Sequence, residues 1–232
     1  MGLFKDKEDI NHKSVEKANI EKLCKICKEA SKGDGNLNKE KLREKLKVDK
    51  NIIEDKNHKY EHEECEGCDT STITEKRVCR CMYYYNSKKK KDCGESCKLC
   101  LKKWNNQGII TIDNYEIPMK NVYKNVGGID LILKFEGKPY GVEVKPWYSK
   151  ETISRMVAET LTYTSAIEDD YKPGILVFEK SNQFKVLKQL DNNEDWDVIK
   201  KYVKVFVIRT GDIDLDKGPY PKNVDFIIEE YE

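Results

Sequence analysis

The positions Ile153, Met156, Val157, Thr160, Leu161 and Thr164 recur at steps of three and four, which predicts a helix with one buried face. Three strands are predicted before it: Ile109 to Ile112, Gly128 to Phe135, and Tyr140 to Val144. The last two are joined by Glu136-Gly137-Lys138-Pro139, a turn sequence. After the helix, Lys172-Pro173-Gly174 predicts a stop and Ile175-Leu176-Val177-Phe178 a buried strand. A polar helix is expected around Trp196 to Lys201, and a last apolar strand over Val203 to Ile208. Strands that lead into alternating helices and strands make an α/β fold.

The text before residue 108 differs. Over residues 1–60, Val15, Ala18, Leu23 and Ile26 predict one short amphipathic helix, broken at Gly33-Asp34-Gly35-Asn36. Leu42, Leu46, Val48, Ile52 and Ile53 predict two more, on either side of Val48-Asp49-Lys50. Three short helices suit either a helix-turn-helix or a small bundle packed on the main domain. Over residues 61–107, Thr72 to Thr74 and Val78 to Tyr85 are expected as strands, and Ser96 to Asn105 as a helix. These shifts divide the chain into a helical region (1–60), a cysteine-rich module (61–107) and an α/β domain (108–232).

Composition narrows the setting. The chain has 232 residues, 43 basic against 42 acidic, so no global charge draws it to nucleic acid or membrane. With 38% hydrophobic and 37% charged residues, its apolar runs are short; none approaches the roughly 20 residues of a membrane span. Met1-Gly2-Leu3-Phe4-Lys5-Asp6 lacks the apolar stretch of a secretory leader, so a reducing, cytoplasmic setting is expected. There, nine cysteines that cluster point to a metal before a disulfide. Cys65-x-x-Cys68 and Cys97-x-x-Cys100 fit the ends of a zinc ribbon with a longer spacer than usual, and Cys79, Cys81 and Cys93 could complete a second site or replace members of the first. His58 and His62 could reach the first pair, whereas Cys24 and Cys27 are expected as ordinary helix thiols. Lys88, Lys89, Lys90, Lys91, Lys98, Lys102 and Lys103, with Tyr83 to Tyr85 nearby, form a local patch that could bind phosphates and stack bases; a solvated loop is the plainer reading of the lysine run taken alone.

The chemistry is concentrated in one hairpin. Gly127-Gly128-Ile129-Asp130 runs into Leu131-Ile132-Leu133, and the returning strand carries Gly141-Val142-Glu143-Val144-Lys145. Alternation places Glu143 and Lys145 on one face and both valines on the other. A turn at Glu136-Gly137 sets Asp130 opposite Glu143, and a turn at Gly137-Lys138 sets it opposite Lys145. Both registers gather the three groups on one face, across strands about 4.8 Å apart. Two neighbouring carboxylates repel, and a hard cation such as Mg²⁺ or Mn²⁺ removes that penalty. The Val144 carbonyl is a natural third ligand. Lys145 would orient or activate a water and share developing charge.

Asp130, twelve intervening residues and then Glu143-Val144-Lys145 resemble the PD-(D/E)xK nuclease superfamily over residues 108 to about 208. Ile129 stands where the usual proline would be. The resemblance implies a restriction-endonuclease-like core, a central mixed sheet flanked by helices, and Mg²⁺- or Mn²⁺-dependent hydrolysis of DNA. Arg155, Glu159 and Tyr163 follow at steps of four, and Glu159-x-x-x-Tyr163 is similar to the Gln-x-x-x-Tyr of RecB-like members. By that resemblance Glu159 and Tyr163 touch the metal site or DNA phosphates; without it, Arg155 and Glu159 are a surface ion pair. Some RecB-like nucleases carry an iron–sulfur cluster with three cysteines after the core, but here no cysteine follows Cys100, which favours zinc. The alternative to a nuclease is a zinc-stabilised nucleic-acid-binding protein on a catalytically silent nuclease fold. Asp212-x-Asp214-x-Asp216 begins like a calcium loop, but its glycine falls at 218 and Asn223 at the twelfth position, so a turn or edge strand is expected.

Overall fold

The computed structural model describes residues 12–32, 36–55, 74–86, 103–105, 109–121, 125–212, 214–215 and 225–232. Among them, eight strands form one mixed sheet. They are β1 (Ile53–Glu54), β2 (Lys103–Asn105), β3 (Ile110–Lys120), β4 (Asn125–Phe135), β5 (Lys138–Val144), β6 (Lys172–Phe178), β7 (Lys204–Arg209) and β8 (Asp225–Glu230). Their order across the sheet is β1-β3-β4-β5-β6-β7-β8-β2. β3, β4 and β5 run antiparallel in succession; β5, β6 and β7 run parallel, with β8 antiparallel to β7.

Among the described residues, six helices cover the sheet: α1 (His12–Ala30), α2 (Lys39–Leu46), α3 (Glu75–Asn86), α4 (Ile153–Ala166), α5 (Asn182–Leu190) and α6 (Glu194–Lys200). Strand alternation sorts them into two layers. Ile175, Val177, Val205 and Val207 pack with α1, α2, α4, α5 and α6. Leu176, Phe178, Phe206 and Ile208 face the other way and pack with Val78, Cys79 and Met82 of α3. This α/β architecture, a central mixed sheet flanked by helices, is the class the element order predicted. No helix among the described residues is long and apolar enough to cross a membrane.

Several elements differ from expectation. Residues 75–86 are helix, not strand. Thr74 Oγ1 accepts the Arg77 N–H and starts it, and Val78 and Met82, one turn apart, are fully buried. That burial overrides the β propensity of the aromatic run Tyr83-Tyr84-Tyr85. Residues 103–105, expected at the end of a helix, pair as a strand with β8. The third N-terminal helix is absent: residues after Val48 turn, and Ile53–Glu54 pair with Met119 and Lys120. α1 and α2 therefore do not form a three-helix DNA reader; they pack on α4 and α6. Lys172-Pro173-Gly174 opens β6 rather than closing α4, which ends at Ala166. α5 and β8 have no counterpart among the elements the sequence pattern predicts. Asp212 lies in a turn after β7.

The β4–β5 hairpin adopts the first of the two registers. Leu131 pairs with Val142, Leu133 with Tyr140 and Phe135 with Lys138, around a turn at Glu136-Gly137. Both turn residues have positive φ, 51° and 74°, the backbone that matches the twist of the flanking strands.

Candidate metal centre

The β4–β5 ladder stops after Leu131–Val142, and one step further the Val144 N–H is taken by the Asp130 side chain, Oδ2 accepting at 2.8 Å. A carboxylate thus replaces a backbone acceptor where the two strands part. Glu143 and Lys145, two residues apart on β5 and just past it, lie on the α4 face; Val142 and Val144 lie in the core beneath α3. Lys145 Nζ donates to Glu143 Oε1 at 2.5 Å.

A third acid arrives from the opposite layer. Glu75, the first residue of α3, accepts from Lys145 Nζ at 2.8 Å. Glu75, Asp130 and Glu143 each offer a carboxylate oxygen within 4.8 Å of the others, a set of donors suited to a hard divalent cation. It is the sole such His, Cys, Asp and Glu grouping among the described residues.

Two further acids complete the surroundings. Glu151 Oε2 lies 3.3 Å and Glu159 Oε2 3.9 Å from Lys145 Nζ. Arg155 Nε is 3.2 Å from Glu159 Oε1 and also pairs closely with Glu151. Among the described residues, five carboxylates therefore share two basic groups. Glu143 and Lys145 are 3% and 7% exposed, so water offsets little of the imbalance. Burial drives the Glu143 carboxyl well above its ordinary range; Asp130 adds to the shift and Lys145 opposes it. Burial likewise drives Asp130 up, helped by Glu75 and opposed by Lys145 and the Val144 N–H. Glu151 is raised by burial too. Burial disfavours the Lys145 ammonium, but Glu143, Asp130 and Glu75 outweigh it and hold its proton far more tightly than usual. The centre must take up protons or a cation to balance.

The framework is local and specific. Thr152 caps α4, Oγ1 accepting the Arg155 N–H at 3.3 Å. From α1, the buried Glu16 reinforces that end: Oε1 accepts the Ser154 N–H at 2.8 Å and Oε2 the Ser154 hydroxyl at 2.7 Å. Gln183 of α5 holds the loop before α4, its side-chain amide donating to the Ser149 and Glu151 carbonyls at 3.0 and 2.7 Å. Tyr163 lies over β4 and donates to the Val126 carbonyl at 3.3 Å. A Cβ on Gly127 would stand 2.1 Å from the Tyr163 oxygen, so the glycine before the acid makes room for the ring.

The structure brings together Asp130, Glu143, Lys145, Glu159 and Arg155 from the residues singled out in the sequence, with Tyr163 one turn beyond on α4. Glu75 and Glu151 were missed. Glu75 lay in a segment expected as strand, although Thr74 followed by Val78 and Met82 is a helix-start pattern. Glu151 sits in a loop, where no periodicity announces it.

The cysteines separate from this centre. Cys65, Cys68, Cys93, Cys97 and Cys100, with His58 and His62, lie outside the described residues, as do Lys88, Lys89, Lys90, Lys91, Lys98 and Lys102. Cys79 and Cys81, expected on a strand, lie on α3, where a two-residue step turns them to different sides. Cys79 is buried in the core and its thiol is pushed well up by burial, with Asp130 and Glu75 adding to it. Cys24 and Cys27 are buried, unbridged thiols of α1. Lys103 lies in β2 opposite Asp225. Tyr83 packs on Tyr115 with centroids 5.2 Å apart, and this contact occupies a ring expected to face bases.

Compared with protein-family models, curated proteins and solved structures, the chain matches none.

Proposed function

We propose that this protein is a divalent-metal-dependent nuclease that hydrolyses DNA phosphodiester bonds on a PD-(D/E)xK-like core. The observation that carries the reading is the convergence of Glu75, Asp130 and Glu143 on one point beside Lys145. A Mg²⁺ or Mn²⁺ bound there supplies an acidified water and offsets phosphate charge. Asp130 and Glu143 hold the cation, with Glu75 as a third carboxylate and the Val144 carbonyl as the backbone donor. Lys145, beside those carboxylates, assists the attacking water and shares the developing charge. Glu159 and Arg155 hold the Lys145 side of the site in place. Tyr148, half exposed on the loop near Glu75, offers an aromatic face to a base. Structural zinc on the cysteine-rich segment remains part of this reading.

Labelled single-stranded, double-stranded and branched DNA, incubated with Mg²⁺, Mn²⁺ or EDTA, tests it. Products are expected with either metal and none with EDTA. Asp130→Ala, Glu143→Ala and Lys145→Ala should each lower cleavage on the order of a thousandfold while folding survives. Wild-type rates in any one of them remove that residue from the site.

One feature favours a second reading. The Lys145 ammonium already sits among four carboxylates and can serve as an internal cation. A silent nuclease fold of this kind binds DNA in a salt-sensitive way and yields no product with either metal.

A further inference from the structure

The opposite end of the sheet carries a second concave site. Where β5, β6 and β7 begin, the last turns of α4 and α6 and the start of α2 enclose a cavity of about 400 Å³. Among the described residues, seven lysines line it against one carboxylate, Asp170. Three tyrosines, Tyr140, Tyr171 and Tyr202, share the wall. From Lys138 to Glu143 the chain runs five residues of extended strand, about 17 Å, so this cavity is separate from the acidic centre.

Ordinary structural needs account for only part of this charge. Lys200 and Lys201 end α6, where the helix dipole welcomes cations. Lys200 also pairs with Asp197 at 3.3 Å, and Lys204 pairs closely with Glu230. Lys39 is tied to the Ile167 and Asp169 carbonyls at 3.2 and 2.6 Å, which orients its ammonium without neutralising it. Burial loosens its proton; Asp170 and Asp169 work against that shift, and Lys32 adds to it. Lys138, Lys172 and Lys201 have no ion pair among the described residues. Strand starts do not call for positive charge, and like charges gathered at a concave surface repel one another. An anion that carries several charges removes that cost. The volume is that of a small-ligand site. Half-buried Tyr171 and Tyr202 add aromatic surface that a purely inorganic anion would leave unused.

We propose that this lysine-lined cavity binds a small polyphosphate anion, with a nucleoside di- or triphosphate the class that suits both its lysines and its tyrosines. Binding there does not depend on the nuclease reading, because none of these lysines touches the acidic centre.

Calorimetric titration of the full chain at low salt, in EDTA, tests it with ATP, inorganic tripolyphosphate, adenosine and a short single-stranded DNA. ATP and tripolyphosphate are expected to bind one to one and adenosine not at all, with ATP tighter if the tyrosines take the base. The double variant Lys172→Gln/Lys201→Gln should weaken ATP at least about tenfold. Lys185→Gln/Lys188→Gln, on the exposed side of α5, should leave it unchanged. Absence of ATP and tripolyphosphate binding overturns the proposal, as does equal affinity in the pocket variant. DNA binding that the pocket variant weakens, without tripolyphosphate binding, also overturns it and gives the cavity to a nucleic-acid strand.

Discussion

At Lys145 one ammonium serves Glu75, Glu143, Glu151 and Glu159. Removing it leaves these acids with Arg155 as their remaining ion-pair partner among the described residues. Lys145→Gln should therefore cost about 3–5 kcal/mol in urea unfolding without metal, the scale for breaking a buried ion pair. Glu143→Gln in the same chain should recover part of that loss, because it removes one of the stranded charges; additive losses would show that the pair is not coupled. Asp130→Asn behaves differently. Its amide oxygen still accepts the Val144 N–H, while a carboxylate that burial disfavours is gone. Metal-free stability should hold or rise, and the thermal shift produced by Mn²⁺ should vanish. At this scale Asp130, Glu143 and Lys145 were legible because strand alternation is strict and the hairpin loop admits few registers. Glu75 was not, because its approach depends on a helix packing from the other face, which no local pattern encodes.

The elements repeat that division. α4 announced itself through its three-and-four spacing, and β6 and β7 through unbroken apolar runs. α5 hides its buried Phe184, Leu187 and Leu190 among polar residues, and β8 alternates over only Phe226 and Ile228. α3 misled because its aromatic and β-branched residues carry β propensity that tertiary packing overrules. The sharpest element-level constraint is the glycine pair in β4, and the two glycines should fail in distinguishable ways. At Gly127 an added Cβ meets the Tyr163 side chain, on a backbone with φ 108°. At Gly128 it meets the Ile117 carbonyl oxygen at 2.3 Å, which is backbone of the paired strand. Gly127→Ala should lose about 2–3 kcal/mol, and adding Tyr163→Ala should reduce that penalty, though the strained φ persists. Gly128→Ala should lose at least as much and gain nothing from Tyr163→Ala. Equal rescue of both in denaturant unfolding would mean that Tyr163 does not pack on β4 as described.

For the whole molecule, the acidic centre links stability to pH and metal with a sign that can be worked out. Asp130, Glu143 and Glu151 have folded-state values raised above their ordinary ones, so the folded protein binds protons that the unfolded chain releases. Their contribution is full below the ordinary carboxyl range near pH 4 and is lost as pH climbs through the raised values. Lys145 does not counter this near neutrality. Its value is raised from an ordinary one of about 10.4, so its stabilisation is intact until the solution turns strongly alkaline. Glu29, held low by its bond to Lys45, works in the opposite sense but is exposed and screened. The melting temperature in EDTA should therefore fall as pH rises from about 5 to about 8. A divalent cation competes with those protons and binds better as they leave, so with Mn²⁺ the slope should flatten or reverse. Glu143→Gln should bring the two curves together. Parallel curves in the wild-type protein would mean that the cation binds elsewhere, and the acids would then be balanced by protons and Lys145 alone.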